Sequence, residues 1–152
     1  KRYQVLVVGR WMDPLRNVRL PLHKYLLESG ERRVRVAEDG KTAHTVFRLL
    51  ARWQSFSLLE AQLKTGRTHQ IRVHLSHLGY PIAGDEKYGD FGMNRTLARE
   101  GLKRMFLHAW KMSLAHPLEG RDLVLTAALP RALQQFLQSV SAKEVQDHGS
   151  KI

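Results

Sequence analysis

The sequence predicts an α/β (α+β) protein with a mixed, mainly antiparallel sheet flanked by helices. Three observations carry this: short β-branched and aromatic runs recur at turn-length gaps, one central segment has matching helix start and stop signals, and a second helical pattern follows Pro130. A length of 152 residues suits one hydrophobic core.

Taken in order, Tyr3 to Val8 reads as a strand ended by Gly9. Met12 to Arg33 reads as an irregular surface excursion, because Pro14, Pro21 and Gly30 interrupt any periodicity. Ala43 to Trp53 and Phe56 to Leu63 are two strand-type runs separated by Gln54 and Ser55, the spacing of an antiparallel hairpin. Along the second run, Phe56, Leu58, Glu60 and Gln62 alternate with Ser57, Leu59, Ala61 and Leu63, so neither face is cleanly polar. A turn at Thr65-Gly66 precedes Thr68, the expected N-cap of a helix that runs through Leu78 and stops at Gly79, with Pro81 beyond. A glycine-rich loop from Ala83 to Gly92, a short helix from Thr96 to Glu100, strands at Phe106 to Ala115 and Leu123 to Thr126, and a helix after Pro130 complete the pattern. The domain is expected over 1–142, and the polar residues 143–152 form a flexible tail.

Lys and Arg number 25 against 14 Asp and Glu, a formal net charge of +11. That excess predicts a polyanionic partner, and arginines spread along the chain favour nucleic acid, because the planar guanidinium fork matches phosphate oxygens. No apolar run is long enough to span a bilayer, and the four apolar residues after Gln4 are too few for a secretory signal. The absence of cysteine excludes disulfides, thiolate metal sites and cysteine nucleophiles, and a cytoplasmic location is expected.

On the central helix, Ile71, Leu75 and Leu78 share one face, while His69, Arg72, Val73 and Ser76 share the opposite one. Arg72 therefore either faces solvent or lies in a cleft, where its fork pairs with a carboxylate or a phosphate. His69, His74 and His77 are read as ordinary polar histidines: His69 and His74 are five residues apart and diverge, and no acidic residue or cysteine completes a metal set. Gly66-Arg67-Thr68 lacks the upstream glycine of a phosphate-binding loop, and Gly84 to Gly89 is expected to cap a turn.

The run TGRTHQIRVHLSHLGYPIAGDEKYG resembles the signature of the RluA/RluC-type RNA pseudouridine synthases. KRYQVLVVG resembles the segment that carries that family's active-site tyrosine, FLHAWKMSLAHPLEG its late strand motif, and LLESGERRVRV the branch acting on large-subunit (23S-type) ribosomal RNA. The resemblance covers residues 1 to about 140. It implies the pseudouridine synthase fold and isomerisation of uridine in RNA without metal or organic cofactor, the uracil being detached from C1′, rotated and rejoined through C5. Carried over, Tyr3 is the tyrosine that stacks on the flipped base, Arg72 the basic residue paired with the catalytic aspartate, and Leu107 the apolar residue near the base; Arg67 and His69 join them as substrate-binding candidates. An extruded base is held by such aromatic and apolar contacts.

In that family the nucleophilic aspartate lies in an Arg-Leu-Asp motif before the segment matching Tyr3. The six aspartates here are Asp13, Asp39, Asp85, Asp90, Asp122 and Asp147, and none follows Arg-Leu. The chain is thus expected to be the C-terminal part of a catalytic domain, without the S4-like RNA-binding domain that often precedes it, and inactive alone. Arg72 is expected to lack its partner carboxylate, and the sheet to leave an edge unpaired. The complete protein is expected to be a monomer. The alternative is a non-catalytic basic RNA-binding module; a histidine-based RNA hydrolase is a weaker one, lacking a paired acid.

Overall fold

The computed structural model describes residues 1–115 and 122–144. Strands β1 (Arg2–Val8), β2 (Leu15–Val18), β5 (Thr45–Arg52), β6 (Phe56–Leu63), β7 (Leu107–Ala115) and β8 (Asp122–Thr126) form one sheet in the order β2-β5-β6-β1-β7-β8. Every neighbouring pair is antiparallel. Strands β3 (Leu22–Leu26) and β4 (Arg32–Val36) make a separate antiparallel hairpin. The helices are α1 (Gln70–His77), α2 (Phe91–Arg99) and α3 (Arg131–Lys143). None of them is long and apolar enough to cross a membrane.

The pleat explains the mixed pattern of β6. Phe56 and Leu58 join Leu6, Trp53, Leu97 of α2 and Leu133, Phe136 and Val140 of α3 in one core. Leu59 and Ala61 join Val5, Val7, Phe47 and Ile71 and Leu75 of α1 in the other. A strand with helices on both faces has no polar side to show, since residues alternate between two buried layers.

The segment expected to be irregular carries β2, β3 and the start of β4. Its prolines sit where a missing N–H costs nothing: Pro14 directly precedes β2 and Pro21 directly precedes β3. Gly30, at φ +85, turns the hairpin between Leu27 and Glu31. The hairpin closes a third cluster, in which Leu22, Val34 and Ala43 bury Val73. Helix α1 is therefore enclosed on the face that the sequence left open as well as on its apolar stripe.

Two helix starts differ from expectation. Thr68 does not cap α1: the N-cap is His69, held in the left-handed region at φ 52 with no side-chain cap. Gln70 orders this turn instead, its Oε1 accepting from the Arg67 N–H at 3.0 Å and the Thr65 hydroxyl at 2.8 Å. Helix α2 begins at Phe91 rather than Thr96, because Asp90 accepts the Met93 N–H at 3.0 Å. At the far end, Lys143 still belongs to α3, and Glu144 accepts the Ser55 N–H. The tail expected beyond lies, from residue 145, outside the described residues.

Candidate active site

Strand β1 presents Tyr3 on the same sheet face as Val5 and Val7, opposite Ala61 of β6 and Ala109 of β7. Leu107 lies opposite Val5, so it shares that face, and both Tyr3 and Leu107 pack against the core that holds Ile71 and Leu75. Tyr3 lines an open cleft of about 490 Å³ together with Lys1, Leu63, Lys64, Thr65, Gly66 and Arg67. An aromatic wall ringed by cations is suited to a base with its attached phosphates. Arg67 is held at the rim by its Nε, which donates to the Thr42 carbonyl at 2.9 Å.

Arg72 and His69 belong to a neighbouring network around Tyr88. Arg72 is paired within the chain, contrary to the expectation that it lacks a carboxylate: Nε donates to Asp85 Oδ2 at 2.9 Å and one terminal nitrogen to Oδ1 at 2.7 Å. Sequence reading named Asp85 among the aspartates but did not pair it with Arg72, because it sought the partner only after Arg-Leu. The available signal was the turn chemistry of GDEKYG. Gly84, at φ +84, lies so close to Arg104 that an added Cβ would meet the Arg104 carbonyl oxygen at 2.4 Å. That turn sends Asp85 back under the helix, where Oδ1 also accepts the backbone N–H groups of Lys87 and Tyr88. The loop thus does cap a turn, as expected, and serves the helix as well.

Asp85 is almost fully enclosed, with its side chain 1% exposed. Burial pushes its carboxyl up, but the Arg72 hydrogen bonds and the two backbone donors outweigh this and hold it below its ordinary value. Its Oδ1 takes three hydrogen bonds and its Oδ2 one, so the carboxylate is committed to Arg72 and to the backbone of its own loop. The Arg72 guanidinium lies 5.1 Å from the Tyr88 ring centroid. The Tyr88 hydroxyl accepts the Val34 N–H at 3.0 Å and lies 2.7 Å from His69 Nδ1. Desolvation first, then the Arg72 and Lys87 charges, lower the His69 pKa. The shift favours the neutral ring, whose Nδ1, when unprotonated, accepts a hydrogen bond from the Tyr88 hydroxyl.

His74, read as an ordinary polar side chain, is completely buried. Its Nδ1 meets Thr45 Oγ1 at 2.9 Å and its Nε2 donates to the Leu20 carbonyl at 2.8 Å, so it ties α1 to β5 and to the approach to β3. Among the described residues no group of His, Asp and Glu side chains is arranged to hold a metal ion.

Comparison with known proteins agrees with this architecture. The sequence profile of the family described as RNA pseudouridylate synthase matches residues 1–77. Ribosomal large subunit pseudouridine synthase C of Salmonella typhimurium is 44% identical over 140 residues, covering 91% of this chain and 44% of the relative. The protein of the same name from Escherichia coli K12 is 42% identical over 142 residues, covering 92% and 44%. The chain thus spans less than half the length of these curated relatives. Among solved structures, human RNA Pseudouridylate Synthase Domain Containing 4 superposes with a TM-score of 0.70 at 27% identity, over 92% of this chain and 61% of that one. Human RNA Pseudouridylate Synthase Domain Containing 1, at 22% identity and the same TM-score, shares the fold. Matched by that family's profile over residues 1–77 and 42–44% identical to these relatives across more than nine-tenths of its length, the chain belongs to the RNA pseudouridylate synthase family.

Proposed function

We propose that this chain is the part of a large-subunit ribosomal RNA pseudouridine synthase that holds the flipped uridine. The observation that carries this reading is the cleft that Tyr3 lines together with Lys1, Lys64 and Arg67. The names of the curated relatives support large-subunit ribosomal RNA as substrate. In this reading Tyr3 stacks on the uracil, Leu107 supplies an apolar contact, and Arg67, with His69 nearby, holds the flanking backbone. Arg72 has one terminal nitrogen left after its fork to Asp85, and in this reading that group pairs with the nucleophilic carboxylate of the complete protein. The isomerisation breaks the C1′–N1 bond and forms a C1′–C5 bond; the C5 proton leaves and N1 gains one, with no change of oxidation state.

No aspartate follows Arg-Leu in these 152 residues, and Asp85 is committed to Arg72. The residues alone are therefore proposed to be inactive, because a covalent route without its nucleophile is closed. The test joins this chain to a segment carrying Arg-Leu-Asp and assays large-subunit ribosomal RNA for pseudouridine. Failure of a folded, complete protein to form any would overturn the proposal.

The net charge of +11 also suits a non-catalytic module that grips RNA. Tyr3→Ala and Arg72→Ala in the complete protein separate the two readings. Loss of product with RNA binding retained supports chemistry; weaker binding with modification intact supports grip alone.

A further inference from the structure

Beside the Tyr3 cleft lies a second and larger hollow, of about 580 Å³, to which the reading above gives no role. It is bounded by the β3–β4 hairpin through Leu22, His23, Lys24 and Val34, by the turn at Asp39, Gly40 and Lys41, and by Gly66, Arg67 and Thr68. Gly66 and Arg67 line both hollows, so the two meet at that turn. Resting on the RNA reading above, we propose that the second hollow is a phosphate-backbone groove, holding the RNA strand as it leaves the nucleotide seated at Tyr3.

Charge argues for this occupant. Lys1, Lys64, Arg67, Lys24 and Lys41 line the combined path against one acid, Asp39. Lys24 and Lys41 are exposed, and no ion pair holds them or Arg67 among the described residues. Five cations kept together with no ion pair among the described residues repel one another, and a polyanion laid along them relieves that repulsion. On the same hairpin Arg33 differs in being paired to an acid, Glu31, which also holds Lys87 of the loop after α1.

Shape argues for a strand crossing from one hollow to the other. Gly66 is exposed, and a Cβ placed there would meet nothing within 4 Å, so the backbone forms a low saddle. The opposite wall is fixed. Leu22 and Lys41 exchange backbone hydrogen bonds of 2.9 and 2.8 Å, and a Cβ on Gly40 would come within 2.6 Å of the Leu22 backbone. Lys41 is thereby presented from a rigid turn packed on β3, and Lys24 stands two residues along that strand.

The test uses the 152-residue chain and a fluorescent oligoadenylate RNA, titrated by anisotropy between about 50 and 200 mM salt. Lys24→Ala combined with Lys41→Ala should weaken binding about tenfold and flatten the slope of log affinity against log salt by about 1.4, two single-strand phosphate contacts. Arg131→Ala with Lys143→Ala removes the same charge from α3, which packs beside the Gln54–Ser55 turn at the other end of β6, and should change affinity less than about twofold. A groove pair that binds like the wild type, or an α3 pair that loses as much, overturns the proposal. Oligoadenylate contains no uridine. Failure of the complete protein to make pseudouridine would therefore leave this result standing, and a groove that fails here would leave the isomerase reading standing.

Discussion

At the scale of single residues, the Arg72–Asp85 pair decides whether the Gly84–Gly89 loop stays under helix α1. Asp85 is the more enclosed partner, at 1% side-chain exposure against 16% for Arg72. Arg72→Ala strands a buried carboxylate and is expected to cost about 3–5 kcal/mol, as buried pairs do when one partner is removed. Asp85→Ala leaves a guanidinium that still reaches solvent, so its cost is smaller, and the double variant loses less than the two single losses added together. Urea unfolding of the four proteins measures this, and strict additivity would show that the pair is not coupled. Gly84→Ala tests the same loop from its backbone. At φ +84, with the Arg104 carbonyl 2.4 Å from the added carbon, it should destabilise by more than about 1 kcal/mol.

At the scale of elements, β8 is the exposed margin of the sheet. Among the described residues it pairs with β7 alone, and Leu123, Val124 and Leu125 are 42%, 51% and 49% exposed, apolar on both faces. Such an edge is a template for another chain. Sedimentation should show association that rises with concentration, and Leu123→Lys with Leu125→Lys should suppress it without changing the circular dichroism; equal association in both proteins would dismiss the edge as its cause. Strands β1, β6 and β7 and the stop of α1 at Gly79 were legible in the sequence, because strand composition and a left-handed glycine are local signals. Strands β2 to β4 were not, since prolines at strand starts look like breaks until a partner strand is in place. Of the candidate site, the sequence named Tyr3, Leu107, Arg67, His69 and Arg72, but Asp85 and Tyr88 became visible only through a turn that brings distant residues to α1.

For the molecule as a whole, the perturbed acids and histidines are shifted in one direction. Asp85 and Glu31 are held below the ordinary carboxylate value, and His44, His69 and His74 below that of free imidazole. Burial is the leading cause at His74, which sits dry between Thr45 and Leu20. For a group whose folded pKa is depressed, the unfolded chain takes up the proton first. Its stabilising contribution is complete above the unfolded value and is lost as pH falls toward and through the folded one. The histidine contribution is therefore present above about pH 6.5 and declines below it. Asp85 adds a second loss only below its ordinary value of 3.8. The urea midpoint should fall between about pH 7 and 5, and His74→Gln, which cannot be protonated there, should flatten that fall. Repulsion within a chain of net charge +11 also grows on acidification, but added salt screens it, whereas the desolvation of a buried imidazole is insensitive to salt. A decline that vanishes in high salt, or that His74→Gln leaves unchanged, would assign the acid sensitivity to surface charge instead of to the histidine that joins α1 to the sheet.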